Sequence, residues 1–145
     1  MEAAKEKKNA IRVAIIESHL TLRNDSIKQL ESAGFTVFLQ TGTGQDALQK
    51  IRNSHTVPDV CIIEDDIEAA NLLLKTYPSL KVLISSTNDN KTAVMNMLEA
   101  GVSGYILRYA DPDEMITAVK ALHENRKYFS AGVGATAKKY FERQL

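Results

Sequence analysis

The sequence predicts an α/β protein, a doubly wound five-stranded parallel sheet with helices on both faces. Three observations carry that expectation. Short apolar runs alternate with longer amphipathic segments along the chain. Several runs are continuously apolar and rich in β-branched residues, as strands covered on both faces must be. Five strand–helix units in series then require right-handed crossovers onto a parallel sheet.

The strands are expected at 12–16 (RVAII), 35–39 (FTVFL), 60–63 (VCII), 81–85 (KVLIS) and 104–107 (GYIL). Helical spacing marks the intervals between them. Leu22, Ile27, Leu30 and Ala33 form a first apolar stripe, which should stop at Gly34. Ala47, Leu48 and Ile51 form a second after the turn TGTG, and Ala70, Leu73, Leu74 and Tyr77 a third. Val94, Met97 and Leu98 give a fourth, ended by Gly101. The fifth helix has Met115, Ile116, Val119 and Leu122 on its buried side. Asp111 can cap it, Pro112 suits its first turn, and Glu114 would complete a capping box.

Bulk properties narrow the function. A chain of 145 residues with 44% apolar and 25% charged residues reads as one globular domain. Eighteen basic residues balance eighteen acidic ones, so no net field favours nucleic acid or an anionic membrane. No run reaches the roughly 18 apolar residues of a spanning helix, and the start lacks a secretory apolar core. A cytoplasmic protein without membrane contact is the expectation. Cys61 is the only cysteine and lies inside VCII, which suits a buried structural thiol. His19, His55 and His123 are isolated, so there is no cysteine–histidine metal set. Residues 1–10 read as a frayed tail, 11–130 as the domain, and 131–145 as an extension or linker with helical character.

In an open α/β sheet, chemistry gathers at the carboxyl ends of the strands. Here those ends carry Glu17 and Ser18, then Glu64, Asp65 and Asp66, then Ser86 and Thr87, and finally Arg108. A carboxylate cluster facing a hydroxyl and a fixed cation is a constellation, although acidic residues at strand ends also serve as helix caps.

The segments IRVAIIESHLTLR, PDVCIIEDD, YPSLKVLISST, LEAGVSGYILR and DPDEMITAVKAL resemble successive pieces of a CheY-like receiver of two-component response regulators. The pattern is most similar to receivers that precede a helix-turn-helix output domain, many of which end in a sequence like RKYFS. The resemblance implies a flavodoxin-like sheet of strand order 2-1-3-4-5. It also implies a site with two acidic residues after the first strand and an aspartate ending the third. A hydroxyl ends the fourth strand of such a site, and a lysine ends the fifth.

Matched residue by residue, Glu17 fills the first acidic position and Ser18 replaces the second. Glu64 stands at the phosphoacceptor position, with Asp65 and Asp66 as alternatives. Ser86 supplies the hydroxyl, and Arg108 replaces the lysine. Ser18 removes an anionic ligand that magnesium would use. Glu64 sets its carboxylate one methylene further out, and in-line transfer is sensitive to about 1 Å. Arg108 offers a planar fork suited to a carboxylate. The loop after Glu64 is also shorter than the family's, since Asp66 can cap a helix at once.

The expectation is therefore an atypical receiver that works as a phosphorylation-independent interaction and dimerisation module, with no catalytic residue, no metal and no cofactor. In it Glu64 would mimic a charged acceptor permanently and pair with Arg108. The alternative is a working receiver that takes phosphate on Asp65 or Asp66 from a histidine kinase, with Mg2+ held by Glu17, Glu64 and Asp66. Small-molecule binding by such a sheet is disfavoured, because the only phosphate-loop hint, Gly42-Thr43-Gly44, lacks both the GxGxxG spacing and a Walker lysine.

Ser86, Tyr105 and Arg108 form the implied switch. Met95, Tyr105 and Tyr109 form an implied homodimer face of fourth helix, fifth strand and fifth helix. The expected partner is another protein or an output domain, regulated without direct nucleic-acid contact by this domain.

Overall fold

A computed structural model describes residues 10–108 and 111–144. Among these residues six parallel strands lie in the order β2-β1-β3-β4-β5-β6. They are β1 (Arg12–Ile16), β2 (Thr36–Thr41), β3 (Val60–Glu64), β4 (Val82–Ser86), β5 (Gly104–Leu107) and β6 (Tyr128–Phe129). The helices are α1 (Leu20–Ser32), α2 (Gly44–Ser54), α3 (Ile67–Thr76), α4 (Lys91–Ala100), α5 (Glu114–His123) and α6 (Ala131–Arg143).

Alternation along the central strands sorts the core into two layers. Ala14, Ile16, Cys61, Ile63, Val82, Ile84, Tyr105 and Leu107 face α2, α3, α4 and α6. Val13, Ile15, Val60, Ile62, Leu83 and Ile106 face α1 and α5. The strands β1, β3 and β4 carry near-continuous burial because both faces are covered. Cys61 is fully buried in β3, and that burial pushes its thiol up to about 12.

The doubly wound sheet agrees with the sequence, with one addition. The expected five strands become six, because Tyr128 and Phe129 pair in parallel with Gly104 and Tyr105. Two residues are too short a run to show a period. Gly104 makes the approach possible, since a Cβ there would sit 2.9 Å from the Tyr128 carbonyl oxygen.

The first helix departs from its predicted stripe. Only Leu30 is buried, while Leu22 and Ala33 are exposed and Ile27 is half-buried. Leu30, with half-buried Ile27, packs against Val13 and Ile15 of β1 and is the main apolar anchor of this 13-residue helix. Tyr77 is half-buried at the end of α3 rather than fully inward. Gly34 and Gly101 take the left-handed conformation expected of helix stops, with φ of 91° and 101°.

The cap of α5 is only partly as predicted. The Asp111 carboxylate accepts from the Asp113 N–H at 2.9 Å. The reciprocal half of the capping box is absent, because the Glu114 carboxylate is engaged elsewhere. It accepts from the Tyr128 hydroxyl at 3.0 Å and from the Ser130 hydroxyl. Ser130 in turn accepts from the Leu107 N–H at 2.9 Å in a buried setting. This cluster fastens the segment leading into α6.

The extension beyond 130 is a helix packed on α4 and on the end of β5. Val133 and Ala137 are buried there, and Phe141 contacts the Phe129 ring with centroids 5.9 Å apart. The expected tail at 1–10 falls outside the described residues except for Ala10.

Candidate functional site

The sheet register sets the candidate residues side by side. Ile16 pairs with Ile63, Glu64 with Ser85, and Ser86 with Leu107. Glu17 and Glu64 therefore leave adjacent central strands at the same carboxyl edge. The Glu17 N–H donates to the Thr41 carbonyl at 2.9 Å, which continues the β1–β2 pairing past the strand end. Glu17 is nearly buried, at 5% exposure.

The Glu17 and Glu64 carboxyls influence one another, which favours a proton on one of them. Burial pushes the Glu17 carboxyl up to about 7, and its bond to Glu64 pushes the same way. Glu64 is held below the usual carboxylate range, first by the hydrogen bond from Glu17. Of the two, Glu17 is therefore the one that holds a proton more readily. Its Oε2 accepts from the His19 N–H at 3.1 Å, while Oε1 lies 3.3 Å from Arg108 Nη2. Glu64 Oε2 accepts from both the Ser18 N–H at 3.3 Å and the Ser18 hydroxyl at 3.2 Å.

The expected Glu64–Arg108 pair does not form. Arg108 reaches Glu17, and its Nη2 donates to the Ser85 carbonyl at 3.0 Å. Its own N–H donates to the Ser86 carbonyl at 2.9 Å, so the guanidinium folds back over the ends of β4 and β1. Ser18, which deletes a carboxylate, instead supplies two donors that hold Glu64.

Asp65 is exposed, and Asp66 spends Oδ1 on the Ala69 N–H at 3.0 Å as the α3 cap. With Ile16, Ser18, Gly42 and Glu64 they line a shallow cleft of about 210 Å³. Among the described residues no three acidic, histidine or cysteine side chains converge in a way that could hold a metal ion.

The switch candidates gather one strand further along. Ser86 is fully buried, and its hydroxyl accepts from the Asn88 N–H at 2.9 Å. Tyr105 is buried completely, and its hydroxyl donates to the Asn88 carbonyl. Burial raises its phenol above the ordinary range. Asn88 is the residue that sequence reading missed. The only signal was the run STNDN, whose small polar residues favour tight side-chain-to-backbone turns. Of the interface candidates, Met95 is half-buried beside α6, Tyr105 points into the core, and Tyr109 lies outside the described residues.

Comparison with known proteins agrees with this architecture. Residues 13–120 match the family described as response regulator receiver domain. The transcriptional regulatory protein DegU of Brevibacillus brevis is 30% identical over 128 residues, which cover 83% of this chain and 53% of that protein. The chain thus spans about half the length of that relative. A LuxR-family two-component response regulator from Aurantimonas sp. SI85-9A1 has a similar structure, with a TM-score of 0.82 at 21% identity. That match covers 94% of this chain and all of the other. A structure of two RcsB dimers bound to two parallel DNAs matches with a TM-score of 0.79 at 18% identity, covering 90% of this chain and 69% of that one.

Proposed function

The chain belongs to the response regulator receiver domain family of two-component signal transduction, and from that premise we propose that it signals without phosphorylation, as a cytoplasmic protein-interaction and dimerisation module. The observation that carries this reading is the glutamate at the acceptor position, Glu64, whose Oε2 is held by both donors of Ser18. Arg108, at the position of the family's lysine, is directed to Glu17 and the Ser85 carbonyl instead. An aspartyl phosphate forms when a free carboxylate oxygen attacks phosphorus in line. One oxygen of Glu64 is engaged by Ser18, and the other sits one methylene beyond the place an aspartate's would take.

The magnesium that the family implies fits this donor set poorly. Hard divalent cations require ionised oxygen ligands in near-octahedral array. Glu17 holds a proton readily and faces Arg108, Ser18 is neutral, and Asp66 is committed as a helix cap. A cation would have to strip a proton, displace an arginine and uncap α3.

The regulated partner in this reading is a DNA-binding output domain, either attached or separate. DegU is by name a transcriptional regulator, and the RcsB structure contains dimers on DNA. The domain itself reads as regulatory rather than catalytic.

The test is to incubate the chain with acetyl phosphate, or with beryllofluoride, in the presence and absence of Mg2+. Intact-mass spectrometry and 19F NMR should show no adduct. A stable magnesium-dependent adduct on Asp65 or Asp66 would instead establish the working-receiver reading.

A further inference from the structure

Among the described residues α4 and α6 pack on one another more extensively than any other pair of helices. Toward the start of α4 and the end of α6 they part around a crevice of about 270 Å³. Its walls are firmly held. Tyr140 stands edge-on to Phe141 with ring centroids 5.1 Å apart, and Phe141 contacts Phe129 of β6 at 5.9 Å. Gly132 seats the start of α6 so close to β5 that a Cβ would lie 2.6 Å from Leu107 Cδ1.

The lining has two parts of opposite character. Met95, Ala135 and Tyr140 offer apolar surface, while Lys91, Lys139 and Arg143 are exposed cations beside it. No carboxylate belongs to the lining, and among the described residues none of the three cations forms an ion pair. This is no general excess of positive charge, since the chain has eighteen basic and eighteen acidic residues. Lys139 and Arg143 lie four positions apart on α6, the spacing at which like charges repel across one helical turn. Fold stability alone favours a carboxylate at one of them. The chain uses that device on α2, where Asp46 and Lys50 pair at 3.2 Å with the same spacing.

We propose that the α4–α6 crevice binds a small amphiphilic carboxylate, its head among Lys91, Lys139 and Arg143 and its apolar body on Met95 and Tyr140. The site is independent of the reading of the domain as an association module. Arg143 presents a planar fork that suits a carboxylate, and the two lysines add point charges. Met95 is the adaptable side chain that irregular apolar bodies require. A crevice of about 270 Å³ is small for a drug-sized ligand and suits a short aliphatic or aromatic acid.

Titration of the 15N-labelled intact chain with octanoate tests the site. Saturable amide shifts should centre on Lys91, Met95, Thr136 and Lys139. Octanol lacks the charge and should leave those signals in place. Hexanoate buries two fewer methylenes, and at about fourfold per methylene it should bind about tenfold more weakly. The double substitution Lys139→Gln, Arg143→Gln should weaken octanoate about tenfold, as the loss of two exposed charge contacts. Lys138→Gln, exposed on the same helix but outside the crevice, should bind like the parent.

Absence of saturable shifts, an equal response to octanol, or an equal loss in Lys138→Gln would each overturn the site. Sedimentation with phosphatidylglycerol vesicles, without binding of free octanoate, would overturn it too and assign the cations to a membrane surface. Should the double variant not fold, the comparison of octanoate with octanol decides alone. None of these outcomes bears on phosphorylation, so the site can fail while the proposed function stands.

Discussion

Arg108 Nη2 lies 3.3 Å from Glu17 Oε1, so the arginine at the end of β5 faces the residue after β1 rather than the glutamate ending β3. That choice follows from Glu64 being turned toward Ser18, whose N–H and hydroxyl both reach its Oε2. Charge at the carboxyl edge is thereby distributed over one proton, one arginine and two serine donors.

The proton has a consequence for stability against pH. The Glu17 carboxyl titrates near 4.5 when unfolded and at about 7 when folded. The folded state therefore binds the extra proton between those values, and stability must fall as pH rises through that window. Glu64, held low, contributes in the opposite sense and below pH 4.5. Urea unfolding between pH 5 and pH 8 should show a loss on the order of 2–3 kcal/mol for the parent, at about 1.4 kcal/mol per pKa unit. Glu17→Gln retains a donor toward Glu64 without titrating, so its stability should be flat across the same range.

Restoring phosphoryl chemistry should require several changes together. Ser18→Asp returns a ligand, Glu64→Asp shortens the acceptor, and Arg108→Lys frees the neighbouring carboxylate. The triple variant is expected to bind beryllofluoride in a magnesium-dependent way by 19F NMR, whereas Glu64→Asp alone should not. Binding by the single variant at the affinity of the triple would show that chain length at position 64 is the sole defect.

Gly44 is fixed by packing. A Cβ at this position would lie 2.8 Å from the Ala69 Cα, where α2 crosses α3. The obstacle is backbone, so it cannot rotate away. Gly44→Ala should cost about 1–3 kcal/mol through forced separation of the two helices, measured as a lower urea midpoint at unchanged slope.

Ser130 joins two buried bonds. Removing its hydroxyl orphans the Leu107 N–H and releases one oxygen of Glu114. Ser130→Ala should destabilise by about 1–3 kcal/mol. Faster amide exchange confined to Leu107, β6 and α6 would distinguish this from a general loss of stability.

Most of the sheet was legible because burial on both faces writes itself into strands such as VCII and KVLIS. The site residues were legible as a set, since βα topology collects strand ends at one edge. The partners within that set were not. Glu64 and Arg108 are of opposite charge, and their pairing is the natural inference from the sequence. Which carboxylate the arginine meets depends on side-chain direction and on the two donors that Ser18 adds, and neither has a sequence signature. The same holds for Ser130 and Glu114, whose bond replaces half of a predicted capping box. In α1 the error came from reading helical spacing where a marginal helix buries little more than Leu30.

Cys61 sits in the middle of β3 with none of its surface open to solvent, and its thiolate is strongly disfavoured. Maleimide dyes or spin labels would ignore it in the native protein, so a cysteine introduced on α4 or α6 could be tagged without background. Conversely, modification of Cys61 itself would mark those rare excursions in which the whole molecule comes apart, giving a chemical clock for complete unfolding.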